Sequence, residues 1–316
     1  MYGTCPLRIT QGLAAIALVS ASASAIAVPA QPAGAPVIET SDVARFYKVY
    51  ESADGNPTAT ELQRDYIDVG SPGLRHLSEI RNVTGDTMAK AIAAHPEIFS
   101  NAKRCMAVLP SVTTRVATAL QTLRRLYPKA AFPPITIAVS RGKPVGVADS
   151  TGVMIGLEAL CAVNYLGANL EDRFVHTITH EYTHVQQARQ SPLFYNDPKP
   201  TVLDGALIEG AADFTAALVS GETHFRSPYA PSDKSLTKEI ETRFVADEDK
   251  TDLSQWFDNG SLTDPEDLGY WVGYRIVKSY YDHAIDKRAA LRNILEIKDP
   301  KAFLRESAWY PGIPLK

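Results

Sequence analysis

Residues 172–189, DRFVHTITHEYTHVQQAR, combine a helical period with two histidines spaced four positions apart. On an α-helix, residues four apart lie one turn above each other, so His180 and His184 can reach one metal ion. The opposite side of this helix is apolar and would anchor it in a core, through Phe174, Ile178 and Val185. The stretch therefore predicts a helix that presents two metal ligands on its polar side.

The residue after the first of these histidines is Glu181, which completes the pattern HExxH. Its carboxylate would lie beside an ion held by His180 and His184, where it can take a proton from metal-bound water. In a chain with seven histidines, the pattern arises by chance on the order of once in a hundred chains. HExxH alone therefore leaves open the alternative of a helix with two ordinary histidines.

A catalytic zinc site normally uses three protein ligands, so a further ligand is needed. Residues 202–220 predict a second helix that ends at Gly221 and contains EGAAD at 209–213. Glu209 can supply the third ligand from this neighbouring helix, and Asp213, one turn later, can accept the second N–H of a zinc-bound histidine. A solvated acidic face is the alternative, but the surrounding residues are almost all apolar or small.

A third histidine, His176, lies one turn before His180 on the first helix. The stripe from His176 to His184 spans roughly 12 Å, which is too far for both outer histidines to bind one ion easily. We therefore predict that His176 is not a ligand and lies near the rim of the cleft or hydrogen-bonded in the core.

HEYTH followed by EGAAD resembles the gluzincin pattern of thermolysin-like zinc peptidases, HExxH and then ExxxD. More closely, residues 130–285 resemble an uncharacterised bacterial family of predicted zinc-dependent proteases. The segments that carry this second resemblance, besides HEYTH, are GVMIGLEALC (152–161), LIEGAAD (207–213) and LGYWVGYRIVKSYY (268–281). The third histidine that metzincins have soon after HExxH is absent, which argues against that branch.

The resemblance implies zinc peptidase chemistry, with one Zn²⁺ per chain held by His180, His184 and Glu209 and with Glu181 as the base. By resemblance to peptidases that use a tyrosine hydroxyl, Tyr270 or Tyr274 could donate to the oxyanion of the transition state. Both lie on a helix predicted to begin at Asp264–Pro265. An aromatic stripe is also typical of a core, and weaker alternative donors are Arg275, His224 and His283.

The period of the hydrophobic residues predicts a mostly helical α+β fold. Residues 41–128 form a helical region, and 129–316 form the zincin-like catalytic region that the resemblance implies. Between the helical parts, 135–139 and 153–157 are predicted strands, and 142–152 are a loop or hairpin connection. The strand at 153–157 could be an edge that lines the cleft and binds a peptide, or an internal strand.

The first 25 residues have the anatomy of a secretory signal peptide. A single charge, Arg8, precedes the apolar run 12–19, and an A-x-A sequence follows at 23–25. An uncleaved anchor is the alternative. Residues 26–40, rich in Ala and Pro, predict a flexible lead-in. We therefore expect a secreted or periplasmic protein, with no membrane contact after cleavage.

The 316 residues carry a formal net charge of −4 and no basic cluster, which gives no support for nucleic-acid binding. The expected partner is a peptide or protein substrate. Outside the signal segment the cysteines are Cys105 and Cys161, which form a disulfide or remain two buried thiols. Two other functions stay open: a non-catalytic zinc-stabilised binding or scaffold protein, and a zinc hydrolase such as an amidase that cleaves a non-peptide bond.

Overall fold

The structure is a computed structural model that describes residues 36–143, 145–163, 169–221, 230–231, 233–257 and 267–315. The predicted signal peptide and most of the lead-in lie outside the described residues, as do His224 and Asp264–Pro265. The described residues belong to one compact unit, Pro32–Lys316. None of the helices in these ranges is long and apolar enough to span a bilayer. The predicted fold class, a mostly helical α+β fold, is confirmed.

The front of the chain is helical, and most of its helices begin at side-chain caps or prolines. Its helices are α1 (Ser41–Ser52), α2 (Ala59–Leu62), α3 (Pro72–Arg81), α4 (Gly85–Ala94), α5 (Pro96–Ala102) and α6 (Leu109–Leu126). A π-helical turn, Gln63–Ile67, continues α2 where the sequence predicts one regular helix. In this turn the Tyr66 hydroxyl donates to Val139 O at 2.6 Å and accepts from Val139 N at 2.9 Å. The irregular turn therefore ties the front helices to the sheet.

The described residues contain one four-stranded sheet, in the order β1-β2-β4-β3. Its strands are β1 (Ile38–Glu39), β2 (Ile135–Ala138), β3 (Gly146–Asp149) and β4 (Gly152–Gly156). β1 and β4 both run parallel to β2, whereas β3 runs antiparallel to β4 with Gly146 opposite Ile155. The strand predicted at 153–157 is therefore internal. The edge strands are β1 and β3, and β3 lies inside the predicted connection at 142–152.

The back of the chain is helical again, as predicted. Its helices are α7 (Leu157–Ala162), α8 (Leu170–Gln190), α9 (Pro192–Tyr195), α10 (Val202–Ser220), α11 (Thr237–Asp247), α12 (Leu268–His283), α13 (Lys287–Leu295) and α14 (Pro300–Glu306). The short helix α9 lies where the sequence predicts only a loop, because Pro192 opens one further turn directly after α8.

Local capping sets the lengths of the two helices that matter most for the site. Asn169 caps α8 by accepting a hydrogen bond from Asp172 N at 3.1 Å. Thr201 and Asp204 form a capping box at the start of α10, and Gly221 ends it with φ of 80°. The predicted stop at Gly221 is thus confirmed.

Helix α10 lies against both α8 and α12, and glycines allow the backbones of α10 and α12 to touch. A Cβ on Gly210 would meet Gly273 C at 2.0 Å, and a Cβ on Gly273 would meet Ala206 O at 1.8 Å. Gly210, Ala211 and Ala212 are small, and from the sequence we expect them to let α8 and α10 pack closely. In the structure, Gly210 faces α12, so this one of the three sets the spacing on the other side of α10.

Two apolar clusters fill the interior. One joins the front helices, the sheet and α8, with Tyr66, Ile137 and Phe174 among its buried members. The other joins α10, α11 and α12, with Leu207 and Trp271 among its members. A disulfide between Cys105 and Cys161 connects the front helical region to α7. Of the two states that the sequence left open for these cysteines, the structure has the disulfide.

Candidate metal centre

Helices α8 and α10 bring three potential metal ligands together. The Nε2 atoms of His180 and His184 lie 3.1 Å apart. Oε2 of Glu209 lies 3.2 Å from the first nitrogen and 3.4 Å from the second. These three atoms form a nearly equilateral triangle on the facing surfaces of the two helices.

The size of this triangle fits a zinc ion. Bonds of 2.0–2.1 Å in a tetrahedral zinc site place neighbouring ligand atoms about 3.3–3.4 Å apart. The observed edges of 3.1–3.4 Å agree with this spacing to a few tenths of an ångström. Two imidazole nitrogens and one carboxylate oxygen are also the donor set that catalytic zinc sites use. The residues present therefore fit a zinc ion that keeps a fourth position open.

Hydrogen bonds behind the triangle determine which nitrogen of each histidine faces it. Nδ1 of His180 lies 2.8 Å from Asp213 Oδ1, and Nδ1 of His184 lies 2.7 Å from Gln187 Oε1. The Gln187 amide is oriented in turn by donating its N–H to Ile208 O at 2.9 Å. In the neutral imidazoles, these acceptors take the Nδ1 proton, which leaves the Nε2 lone pairs directed into the triangle for a metal ion.

Charge at the triangle also favours a cation. Burial by itself would lower the pKa of His180, but hydrogen bonds to Asp213 and Glu209 outweigh it and raise this pKa well above 6.5. Burial would raise the pKa of Glu209, but His184 and His180 lower it well below its usual range. The two carboxylates therefore require positive charge between them, which protons or a metal ion can supply.

His176 lies behind the triangle. Its Nε2 is 3.5 Å from Asp213 Oδ1, the same oxygen that bonds His180. His176, His180 and Asp213 form a second group whose potential ligand atoms lie within 4.8 Å of one another. Since His180 uses Nδ1 for Asp213, this group supports the triangle from behind. The prediction that His176 is not a ligand of the same ion stays a prediction.

The carboxylate of Glu181 lies beside the triangle, under the edge strand β3. A Cβ placed on Gly146 of β3 would lie 2.5 Å from Glu181 Oε1, which shows how closely the strand passes. Burial raises the pKa of Glu181, and the neighbouring His184 and His180 offset only part of this effect. A raised carboxyl pKa near the metal-binding atoms suits a group that accepts and returns a proton at neutral pH.

The two predicted tyrosine donors occupy different places on α12. The ring of Tyr270 lies 6.2 Å from the His180 ring, nearly parallel to it, and also contacts Phe257. Tyr274 instead packs on Phe214, at 6.1 Å between ring centroids, within the second apolar cluster. The structure thus brings the Tyr270 ring next to His180, and packs the partly buried Tyr274 against the second apolar cluster.

The two weaker alternatives on the same helix are engaged elsewhere. Arg275 forms an ion pair with the buried Glu241 and donates to Ile313 O at 2.7 Å. Nδ1 of His283 lies 2.8 Å from Ser279 O in the last turn of α12. The third alternative, His224, lies outside the described residues.

Sequence reasoning missed Tyr195. This residue ends the short helix α9, and its ring lies 5.7 Å from that of His184. Burial raises the pKa of Tyr195, and the negative charges of Glu209 and Glu181 raise it further. The residue follows HExxH by eleven positions in a segment predicted as a loop, and only the tertiary fold places its ring at the site.

A mostly helical α+β fold with two histidines and a glutamate on facing helices is an arrangement that suits the class of zinc-peptidase-like proteins. Within that class, the chain belongs to the family described as Predicted Zn-dependent protease (DUF2268), which matches residues 116–295. The match covers more than half of the chain and includes both α8 and α10. No curated protein and no solved structure matches the chain. The predicted family resemblance is confirmed.

Proposed function

We propose that this protein is a zinc-dependent metallopeptidase that holds one Zn²⁺ through His180, His184 and Glu209. The observation that carries the proposal is the triangle of ligand atoms with edges of 3.1–3.4 Å, backed by Asp213 and Gln187. The family description as zinc-dependent protease points to the same chemistry.

When bound, the zinc ion supplies Lewis-acid polarisation of the scissile carbonyl and makes water more acidic. Glu181 accepts the proton of the attacking water and returns it to the leaving amine, a double task suited to a carboxylate whose pKa is raised by burial. The side chains of His180 and Glu209 keep exposures of 12% and 21%, and we propose that a substrate enters from the side on which solvent reaches them.

Two tyrosines flank the histidines and are the candidate donors to the oxyanion. Tyr270 lies beside His180, and Tyr195 lies beside His184. A hydroxyl placed to bond the developing negative charge lowers the barrier because it interacts with the transition state more strongly than with the substrate. The predicted Tyr274 is the weaker candidate, since its ring packs on Phe214.

The substrate is proposed to be an extended peptide that adds to the edge strand β3. This strand lies at the end of the sheet order, and its Gly146 lies directly over Glu181. A peptide that pairs with β3 through main-chain hydrogen bonds would cross the triangle of ligand atoms. The edge available for this pairing is thus β3 and not the internal strand β4.

We also propose that the protein is exported, to the periplasm or the medium. Besides the signal-like N-terminus, the Cys105–Cys161 disulfide supports this location, because disulfides persist mainly in oxidising compartments.

The test is hydrolysis of a panel of internally quenched peptides by the zinc-loaded protein, comparing wild type with Glu181→Gln. We expect turnover in the wild type and a loss of at least about 100-fold in kcat for the variant, at unchanged zinc content. The exposed Glu239 provides a matched control, since Glu239→Gln removes a carboxylate far from the triangle.

Zinc binding without turnover of any peptide would contradict the proposal and favour a zinc-stabilised scaffold. Cleavage of non-peptide amides alone would favour a zinc amidase. The presence of Glu181 argues against a scaffold, because a purely structural zinc site needs no base.

A further inference from the structure

The edge strand β3 passes over Glu181 at a distance that only a residue without a side chain allows. A Cβ on Gly146 would lie 2.5 Å from Oε1, 2.8 Å from Cγ and 2.9 Å from Cδ of Glu181. Such distances lie inside van der Waals contact, so a methyl group at this position would require either the strand or the carboxylate to move.

The strand is held in place by its pairing within the sheet. All four residues of β3 pair with β4, from Gly146 opposite Ile155 to Asp149 opposite Gly152. Just beyond this ladder, Gly156 N donates to Val145 O at 3.0 Å. Retreat of β3 from Glu181 would break several of these hydrogen bonds.

Contacts at both ends of β3 add to this restraint. Before the strand, the buried carboxylate of Glu158 accepts hydrogen bonds from Ser140 N at 3.0 Å and Gly142 N at 2.8 Å. After it, His76 of α3 lies 2.6 Å from Asp149. Hydrogen bonds to neighbouring elements therefore hold both the turn that leads into β3 and the residue that ends it.

Of the two groups in contact, strand β3 and the Glu181 side chain, the Glu181 side chain is the one that can move. The three atoms nearest to a Cβ at position 146 all belong to the Glu181 side chain and none to backbone. The backbone of α8 is anchored on its other side by buried Phe174 and Ile178. A methyl group at 146 would thus be accommodated by a change of rotamer of the whole Glu181 side chain, which carries its carboxylate away, at little cost to the fold.

We propose that Gly146 is a positioning residue: by lacking a side chain, it lets the edge strand fix the Glu181 carboxylate beside the metal-binding triangle. This inference rests on the proposed function, in which Glu181 is the general base. A displacement of about 1 Å at such a group is enough to cost up to roughly 100-fold in rate.

The experiment is a double-mutant cycle with Gly146→Ala and Glu181→Ala, assayed on the quenched peptides that the zinc-loaded wild type cleaves. We expect Gly146→Ala to lower kcat by about 10- to 100-fold while KM stays within about threefold. In the Glu181→Ala background, the Cγ, Cδ and Oε1 atoms that the methyl group would meet are absent, and so is the base that it would displace. There, Gly146→Ala should cost less than about threefold.

Two further readouts separate positioning from a general structural effect. Zinc content and the melting temperature of Gly146→Ala should equal those of the wild type, and a crystal structure of the zinc-free variant should show the Glu181 carboxylate displaced. The matched control is Ala148→Ser, which adds one atom two residues along the same strand. We expect its kcat to stay within about twofold of the wild type.

Equal losses from Gly146→Ala in both backgrounds would overturn the inference, and so would loss of zinc from this variant. Glu181→Gln shows which claim has failed. If that variant keeps full turnover, the proposed function is wrong, and so is the inference that rests on it. If it is inactive while Gly146→Ala keeps full turnover, the inference alone is wrong.

Discussion

At the scale of single residues, the side chains behind the triangle decide how well it can bind a metal. Asp213 and Gln187 each accept the Nδ1 proton of one histidine, at 2.8 and 2.7 Å. They keep both imidazoles in the tautomer and ring orientation that a metal ion needs, so that binding requires little reorganisation.

The neighbouring glutamines of α8 allow a matched comparison. Gln187 bonds His184, whereas Gln186 bonds the backbone of Ala131 through both its oxygen and its nitrogen. We expect Gln187→Leu to weaken zinc binding by about 10- to 100-fold in competition with a chelator, because His184 loses its orienting acceptor. Gln186→Leu should lower the melting temperature and leave zinc affinity unchanged. Equal zinc affinities for the two variants would contradict the assigned role of Gln187.

Zinc affinity should also depend on pH. After the opposing effect of burial, nearby carboxylates leave the pKa of both His180 and His184 above 6.5 in the zinc-free protein. Protons therefore compete with zinc below these raised values and cease to compete above them. We expect the zinc affinity, measured from pH 6 to pH 9, to rise with pH and then level off. A constant affinity over this range would contradict the electrostatic account.

The residues of the site that could be predicted are those that lie close together in the sequence on one helix. The i, i+4 spacing can be read directly from the sequence, and it identifies His180 and His184 on one helix and Glu209 and Asp213 on the other. Glu181 follows from its place within HExxH. The same spacing argument could have identified Gln187, which lies three positions after His184. It could not have identified Tyr195, because the position of that residue depends on how the chain turns after α8.

At the scale of secondary-structure elements, contact between α10 and α12 places Glu209. Gly210 follows Glu209 directly, and its Cα faces Gly273 C on α12. Separating these helices would shift Glu209 relative to the histidines of α8.

The variant Gly273→Ala tests this packing. Its Cβ would lie 1.8 Å from Ala206 O, a backbone atom that cannot rotate away. We expect destabilisation of about 1–3 kcal/mol or more, measured by denaturant unfolding, together with weaker zinc binding. Gly205→Ala on α10 is the control, since its Cβ would meet only the Phe257 ring at 3.0 Å. A stability loss for Gly273→Ala no larger than that of the control would refute this account.

Of the strands, β4 could be predicted from the sequence, whereas β3 could not. The run at 153–157 was recognisable as a strand because it is apolar throughout, as expected for an internal strand buried on both faces. β3 is short and only partly buried, and its first residue is a glycine, so its sequence is typical of a connection. Its pairing with β4 depends on the tertiary fold.

At the scale of the whole molecule, the helical front and the part that carries the candidate metal centre share one apolar core. Phe46 and Leu74 of the front helices belong to the same cluster as Ile137 of the sheet and Phe174 of α8. The strand β1, near the start of the described chain, pairs with β2. Residues upstream of the family match thus contribute to the sheet that carries β3.

The disulfide reinforces this connection. Cys105 and Cys161 are 56 residues apart, and closing a loop of that length stabilises a protein by about 4 kcal/mol in the chain-entropy model. We expect the double variant Cys105→Ser/Cys161→Ser to unfold at a clearly lower denaturant concentration than the oxidised wild type. Wild type treated with a reductant should approach the variant. Identical unfolding midpoints for all three samples would contradict a stabilising disulfide.

The most direct test of the central claim is the zinc content of the purified protein, measured by elemental analysis for wild type, His184→Ala and Glu209→Ala. The account predicts about one zinc per chain in the wild type, with loss or sharp weakening in both variants. A wild type that cannot be loaded with zinc would contradict the claim. Zinc that is lost with His184→Ala but kept with Glu209→Ala would show that the third ligand is not Glu209.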